Sequence, residues 1–530
     1  MSERCSILQR ESLARQRRRG ALQLASTRVL FGLLSLVLLS GCGSTPAKLR
    51  HVGGAVAHHQ WEESDLAAEL DRIAAAGAES SAGKKAAREF FADWRGSDAG
   101  PSRKVGGWKV TFTSEWPAGY FDALLPAADY DVPGLNQRYT RDGRGIALVG
   151  CRQNRHQDAV ETLYPPEMIT RPVTAVFTQG PGRTMTVALR NSLRHDELAA
   201  DFSAPLAELV GHAAPLAKMG FGGLLGSREA RRRGHGLYLL EPYDPRKTPV
   251  IFVHGLLSTP LAWANVTNEL WGDAEFRRRY QIWHYHYPTS APFLYSAKLF
   301  REQIAKVRAQ LDPRGTDPAS ARLDIVAHSM GGLLTRTLIT DSDEAAWNGV
   351  FQVRPETLKG APEDRATVDD ILHWKARRDV RQVIFIAVPH RGSDMSGGII
   401  GRIGDTLAGL PPEFTALYAR LNRDNPEALQ PAFREALSRG KLTSIDTLSP
   451  RHPLLQTMNT LTIKPWVTLH SIIGNRGSKK PLEQTSDGVV PYTSSHLDAA
   501  VSEVVVPTDH GAYKDPAAVA EILRILKADR

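Results

Sequence analysis

The chain has 530 residues, of which 42% are hydrophobic and 23% are charged. That length exceeds one ordinary domain. The formal net charge is +9, but seven arginines and two glutamates precede Cys42, so the rest of the chain carries only +4. A balance this small does not favour nucleic-acid binding.

The first 41 residues have the pattern of a secretory signal. A basic stretch at 15–19 precedes an apolar run at 29–39, which is shorter than the roughly 20 residues that span a bilayer. Leu39-Ser40-Gly41-Cys42 then resembles a bacterial lipobox, which implies cleavage before Cys42 and lipid attachment to its sulfur. With Ser44 following, the resemblance implies an exported lipoprotein, at the outer membrane or periplasmic face in a Gram-negative host. A plain membrane anchor and a non-lipidated signal are the alternatives.

Residues 42–60 are small and polar enough to form a tether. Residues 61–240 predict a smaller α+β or β-rich accessory domain, with helices at 61–94, short β-type runs at 107–191 and a helical connector at 197–225. A basic cluster follows at Arg228 and 231–233, which we interpret as a solvated linker, with contact to a membrane surface as the alternative. If Cys5 is removed and Cys42 is lipidated, Cys151 has no partner and no disulfide is expected. Protein partners are not predicted.

Near the middle of the chain, residues 322–332 predict a buried strand, a tight turn carrying Ser329, and a helix that begins with glycines. A serine hydroxyl is a poor nucleophile unless it is held exposed beside a base, and a sharp strand-to-helix turn holds it in that way. The usual pattern is G-x-S-x-G. Here Ala327 stands at the first glycine position, and we expect its methyl group to point into the packing between sheet and helix.

Further strands and loops flank this turn in a consistent order, one before it and three after it. The apolar run 249–253 ends in His254-Gly255-Leu256, and the run 382–388 ends in Pro389-His390-Arg391-Gly392-Ser393. Two later strands, at 467–473 and 501–506, precede Asp487 and His510 respectively. Strands that alternate with helical stretches predict a mostly parallel sheet flanked by helices, whose functional groups gather at the carboxyl ends of the strands.

These motifs together resemble the lipase and esterase branch of the α/β-hydrolase superfamily, over residues 245–530. The resemblance implies the α/β-hydrolase fold, with Ser329 as the nucleophile, Asp487 as the acid and His510 as the base. It places the oxyanion donors at the amides of Leu256 and Met330. It requires no metal and no organic cofactor.

Several other residues are alternatives for parts of this site. Asp394 follows the strand at 382–388, where some hydrolases carry the acid, whereas Asp509 adjoins His510 and is a poor partner for it. We expect His328 to point away from the site, and His254 and His390 to order loops. His284 and His286 alternate in what we predict is a half-buried strand, and a metal site there is an alternative to simple packing.

Two insertions, around 341–379 and 394–465, predict helical caps over the pocket, either as a lid or as a rigid cover. The predicted function is hydrolysis of carboxylic esters, lipids or other apolar esters, by an enzyme anchored to the membrane through Cys42. Acyl transfer with the same triad is one alternative. A non-catalytic binding or scaffold protein on the same fold is another.

Overall fold

The computed structural model describes residues 63–94, 102–132, 134–224, 235–393, 412–438 and 444–528. The predicted signal and tether, Cys42, the basic cluster at 228–233 and Asp394 lie outside these ranges. Among the residues with described structure, no helix is both long and apolar enough to cross a bilayer.

The strands that the structure describes are β1 (Arg103–Val105), β2 (Trp108–Ser114), β3 (Ala123–Pro126), β4 (Thr140–Arg141), β5 (Ile146–Arg152), β6 (Ile169–Gly180), β7 (Thr184–Asn191), β8 (Ala200–Asp201), β9 (Gly236–Leu239), β10 (Thr248–Val253), β11 (Tyr280–His286), β12 (Leu323–His328), β13 (Val380–Ile386), β14 (Thr468–Gly474) and β15 (Ser502–Val506). The helices in the described ranges are α1 (Glu63–Ala76), α2 (Ser81–Asp93), α3 (Ser203–Leu224), α4 (Ala264–Gly272), α5 (Ala274–Arg279), α6 (Phe293–Leu311), α7 (Met330–Arg336), α8 (Ala345–Val350), α9 (Pro362–Leu372), α10 (Pro412–Asp424), α11 (Pro431–Ser438), α12 (Ser444–Thr447), α13 (Pro453–Thr460), α14 (Tyr492–Ser495) and α15 (Pro516–Ala528).

The C-terminal region is built on a seven-stranded sheet in the order β15-β14-β13-β12-β10-β11-β9. Every pair is parallel except β9 with β11, which is antiparallel at the edge. All six residues of β12 are buried, as expected for a parallel strand that helices cover on both faces. The predicted mostly parallel sheet flanked by helices is confirmed.

The burial of β11 differs from the sequence expectation of a half-buried strand. Tyr280 to Tyr285 are all buried, and only His286 is partly exposed. The reason is long-range packing, because Leu206, Leu209 and Val210 of α3 join the same core as Ile282. His284 donates to or accepts from the Thr267 hydroxyl at 3.1 Å, so it is a packed side chain with a local partner.

The N-terminal region contains a six-stranded sheet in the order β1-β2-β7-β6-β5-β3. Helices α1 and α2 cover it, and Phe90 and Phe91 of α2 meet Phe177 edge-to-face at centroid distances of 5.7 and 5.9 Å. Ser80 starts α2 because its hydroxyl accepts the Gly83 amide at 3.0 Å, which satisfies one of the amides left free at a helix start. The structure therefore contains the two helices and the β-rich part that the sequence predicts here.

Part of the N-terminal region packs into the hydrophobic core of the C-terminal sheet, while the N-terminal sheet forms a separate core with α1 and α2. Phe202 and Leu206 belong to the same buried cluster as Val250 and Ile522. Polar contacts flank this core, including hydrogen bonds from Tyr139 to Glu269 and from Ser203 to Asn268, the latter at 2.7 Å. The strand β9 lies within 61–240 but pairs with β11, so the C-terminal sheet begins at Gly236.

Candidate active site

Ser329 lies between the last residue of β12 and the first residue of α7, in a strained backbone conformation with φ 52° and ψ −128°. A non-glycine residue in this region costs about 1–3 kcal/mol and persists only where the surroundings impose it. Here the Ser329 amide donates to the Ile386 carbonyl at 2.9 Å. The turn therefore holds Ser329 just past the carboxyl end of β12, beside the end of β13.

Close packing explains the glycines that follow Ser329. A Cβ on Gly331 would lie 2.5 Å from the His254 carbonyl oxygen, and one on Gly332 would lie 2.2 Å from a Val388 methyl group. Ala327 is fully buried, in agreement with a methyl group packed inside the fold. The turn tolerates Ala327, whereas the two later positions leave no room for a side chain.

The structure brings Ser329, His510 and Asp487 together in a hydrogen-bonded series. His510 Nε2 lies 2.9 Å from Ser329 Oγ, and His510 Nδ1 lies 2.7 Å from Asp487 Oδ2. A carboxylate only accepts, so Nδ1 carries the proton and Nε2 is free to accept from the hydroxyl. All three side chains are buried.

Asp487 is held ionised by its surroundings. Burial raises the pKa of this carboxyl, but His510 and the amides of Val489 and Val490 outweigh it and hold the pKa below its usual range. Those amides donate to Oδ1 at 2.8 and 2.6 Å, which leaves Oδ2 for His510. Charge on this oxygen fixes the imidazole tautomer whose unprotonated Nε2 faces the Ser329 hydroxyl.

The loop after β10, residues 254–257 and here called the oxyanion loop, contains the Leu256 amide, one of the two predicted oxyanion donors. The other, the Met330 amide, lies at the start of α7. Within the described ranges, the amides of Leu256 and Met330 have no protein acceptor. The next amide, that of Leu257, donates to Thr289 Oγ1 at 3.3 Å, and Leu257 has a φ of 60°. A Cβ on Gly255 would lie 2.9 Å from Ser329 Cβ, so the loop approaches the serine as closely as glycine permits.

The comparison with protein-family models gives one match, to the alpha/beta hydrolase family, over residues 250–522. This match covers just over half of the chain. The chain belongs to the alpha/beta hydrolase family. No curated protein matches this hydrolase.

Solved structures similar to this hydrolase include a lipase from Bacillus licheniformis in mature form, at 16% identity and a TM-score of 0.30, covering 55% of this chain and 97% of that one. A carboxylesterase structure from the thaumarchaeon Nitrososphaera gargenis has 14% identity, a TM-score of 0.28, and coverage of 56% and 94%. A thioesterase domain from the curacin biosynthetic pathway has 16% identity, a TM-score of 0.27, and coverage of 56% and 98%. Likeness at this level carries no argument about the substrate.

Two other histidines near the strand ends, His254 and His390, are buried and pack against aromatic rings. The His254 ring stacks on the Tyr287 ring at a centroid distance of 4.4 Å. Burial lowers the pKa of His254 to about 3, and the neighbouring His286 contributes to this shift. Burial also holds the pKa of His390 well below its usual range, beside the ring edge of Phe385. No group of three possible metal-ligating side chains occurs in the described part of the chain.

Two of the alternative residues have clear positions. Asp509 Oδ1 accepts the Gly511 amide at 2.8 Å, so it shapes the turn at His510, while Asp487 occupies the Nδ1 side of the ring. The sequence predicted that His328 points away from the site, but its ring lies beside the His510 ring at 4.9 Å. His328 Nε2 lies 2.8 Å from the carbonyl oxygen of His510.

Gly474, at the end of β14, also shapes the site and was not among the predicted residues. A Cβ there would lie 2.7 Å from the Asp509 carbonyl oxygen and 3.0 Å from Asp487 Cβ. Gly474 thus lets the loops bearing the acid and the histidine come together. A glycine directly after an apolar strand was the available signal.

The two insertions contact each other through side-chain hydrogen bonds. Arg420 of α10 binds the Asp364 carboxylate of α9 through two hydrogen bonds at 2.6 and 2.7 Å. Asn425 bonds the backbone of Lys359 through both its amide oxygen and its amide nitrogen, each at 2.7 Å. Between them and the start of α6 lies an apolar cavity of about 90 Å³, lined in part by Leu294, Phe351, Ile371, Leu421, Leu429 and Phe433.

Proposed function

We propose that this hydrolase cleaves carboxylic esters through an acyl-enzyme on Ser329, with His510 as general base and Asp487 as its partner. One observation carries the proposal: His510 bonds the serine hydroxyl with one ring nitrogen and a carboxylate with the other. This is the arrangement that acyl transfer requires.

The proposed first half-reaction forms the acyl-enzyme. Ser329 Oγ attacks the ester carbonyl carbon while its proton moves to His510 Nε2, and Asp487 stabilises the positive imidazolium. The carbonyl oxygen becomes an oxyanion that accepts hydrogen bonds from the Leu256 and Met330 amides. Each such donor typically lowers the barrier by about 3–4 kcal/mol.

The acyl-enzyme forms when the tetrahedral intermediate collapses: the C–O bond to the alcohol breaks, and His510 gives its proton to the departing oxygen. The second half-reaction then returns the enzyme to its starting state. Water then attacks the acyl-enzyme with His510 again as base, which releases the carboxylic acid and restores the Ser329 hydroxyl.

We propose that the acyl part of the substrate is apolar. The support is the cavity between the two insertions and the start of α6, whose lining side chains are almost all hydrophobic. Ser329 is not among the lining residues, so the proposal is that the acyl chain extends from Ser329 into this cavity. Each methylene group removed from water there is worth about 0.8 kcal/mol. Longer acyl chains should therefore bind better until they exceed the cavity.

A substrate profile tests both the reaction and this preference. Purified full-length protein in detergent is assayed on p-nitrophenyl esters of increasing acyl length, with free acid and alcohol both quantified. We expect equal release of acid and alcohol, and a rate that rises from acetate to longer chains. Acid release well below alcohol release in the presence of an added alcohol would favour acyl transfer instead.

A variant inside the cavity gives the matched comparison. Leu421→Gln places a polar group in the buried lining, whereas Leu482→Gln changes a leucine that is 37% exposed elsewhere on the hydrolase. We expect Leu421→Gln to lower the rate on long esters several-fold with little effect on acetate, and Leu482→Gln to change neither. Equal effects on all chain lengths would argue against the acyl-binding role.

We also propose that the mature protein is a lipoprotein anchored through Cys42, as the lipobox-like sequence suggests. Cys42→Ala should release the protein from bacterial membranes into the soluble fraction. Persistent membrane association of that variant would indicate an uncleaved membrane anchor.

A further inference from the structure

His328 connects the strand that carries the nucleophile to the loop that carries the base. It is the last residue of β12, directly before Ser329, and its side chain is 5% exposed. Its Nε2 lies 2.8 Å from the backbone carbonyl oxygen of His510, a residue 182 positions later in the chain. The two imidazole rings lie 4.9 Å apart.

The direction of this hydrogen bond follows from its partner. A carbonyl oxygen only accepts, so His328 Nε2 carries a proton and donates it. Burial lowers the pKa of His328 to about 3, and the nearby His510 is a second, smaller cause of this shift. The ring is therefore neutral at ordinary pH, and it holds the His510 backbone without adding a positive charge beside the base.

The rest of the ring has little freedom to move. A Cβ on Gly255 would lie 2.8 Å from His328 Nδ1, so the oxyanion loop covers this edge. Tyr513 packs edge-to-face against the ring at 4.8 Å. His328 is thus enclosed by the oxyanion loop on one side and by the segment around His510 on the other.

We propose that His328 is a positioning residue, whose Nε2–H sets the backbone of His510 so that the His510 ring meets both Ser329 and Asp487. The inference rests on the proposed function of Ser329 and His510. His328 does not touch the reacting atoms. It acts on the distance between the base and the nucleophile, and an error near 1 Å in that distance can cost about a hundredfold in rate.

A near-isosteric pair of substitutions tests this role. His328→Gln keeps an N–H donor at a similar reach, whereas His328→Met keeps a similar volume and has no donor. The hydrolase variants are compared on one short ester, with each kcat expressed per active site titrated by a fluorophosphonate probe. That normalisation removes any difference in the folded fraction.

We expect His328→Met to lower kcat per titrated site by about ten- to a hundredfold, with KM changed less than about threefold, and His328→Gln to recover most of the loss. A purely structural role would change the melting temperature and the titratable fraction, but not kcat per site.

Equal kcat per site in the Gln and Met variants would overturn the inference, as would wild-type kcat in the Met variant. If the Met variant does not fold, His328→Phe serves as a second ring without a donor in the same comparison with Gln. Failure of the proposed function is recognised separately, because then the wild-type protein itself would show neither ester hydrolysis nor labelling of Ser329.

Discussion

The two oxygens of the Asp487 carboxylate have different partners: Oδ2 accepts a hydrogen bond from His510 Nδ1 at 2.7 Å, and Oδ1 accepts hydrogen bonds from two backbone amides. The backbone bonds hold the carboxylate in place whether or not the imidazole moves. A charged oxygen therefore always faces Nδ1, and the opposite nitrogen stays available to the serine.

The first prediction concerns this carboxylate. Asp487→Asn keeps the shape of the side chain but removes its charge, and it favours the tautomer that presents a proton to Ser329. We expect kcat to fall by about 10³- to 10⁴-fold. Asp509→Asn is the control, because Asp509 bonds only the turn at Gly511 in the described structure and should lose less than about tenfold. Similar losses in the two variants would reject Asp487 as the acid.

The second prediction concerns Thr289, which holds the oxyanion loop through the Leu257 amide. Thr289→Val preserves the shape and leaves that buried amide without its acceptor, at a cost of about 1–3 kcal/mol. We expect kcat/KM to fall about tenfold, equivalent to about 1.4 kcal/mol of barrier. Thr289→Ser retains the hydroxyl and should stay within about threefold of wild type. A fully active Val variant would show that the loop holds its shape without this bond.

The third prediction concerns stability in acid. Burial lowers the pKa of His254, His284 and His328 to about 3 each, against an ordinary value of 6.5. Between these pH values the unfolded chain binds a proton at each histidine and the folded chain does not. The contribution of these histidines to the free energy of unfolding is therefore complete above pH 6.5 and decreases as the pH falls below it. Each histidine changes the free energy of unfolding by up to about 1.4 kcal/mol per pH unit in this range.

Denaturant unfolding at pH 7.5, 6 and 5 measures this effect. We expect the free energy of unfolding to decrease over that range, and His284→Gln to reduce the slope, because Gln does not titrate and can still bond Thr267. A free energy of unfolding that is independent of pH between 7.5 and 5 would contradict the neutral burial of these rings.

The fourth prediction concerns the N-terminal region. Phe202 is buried in the core shared with the C-terminal sheet, and the Arg277 guanidinium lies 3.9 Å from its ring centroid. Phe202→Ala should lower the free energy of unfolding by about 3–5 kcal/mol. Val160→Ala, at a side chain that is 40% exposed, should change it by less than about 0.5 kcal/mol. A mild effect of Phe202→Ala, with the C-terminal region still stable, would mean that the two regions fold independently.

The sequence predicted those parts of the site that are marked by motifs within a short stretch of chain. The turn at Ser329 is marked by a buried strand, small residues and glycines within about ten positions, and the loops bearing Asp487 and His510 follow their strands directly. The structure brings these residues together because parallel strands end at the same edge of the sheet.

The parts that the sequence did not predict depend on contacts between distant segments. His328 lies in the predicted turn, but its orientation is set by the His510 carbonyl and by the close approach of Gly255. The burial of β11 depends on α3, which precedes it by more than fifty residues and whose docking has no local signature. Periodicity within one segment cannot reveal which other segment will cover it.

The most direct test of the central claim is to trap the acyl-enzyme. The hydrolase is mixed with a p-nitrophenyl ester, quenched in acid within the first turnovers, digested, and analysed by peptide mass spectrometry. We expect the added acyl mass on the peptide that contains Ser329, together with a burst of nitrophenol, and neither in Ser329→Ala. Ester turnover with no acyl group on Ser329, or turnover that persists in Ser329→Ala, would contradict the claim that this serine is the nucleophile.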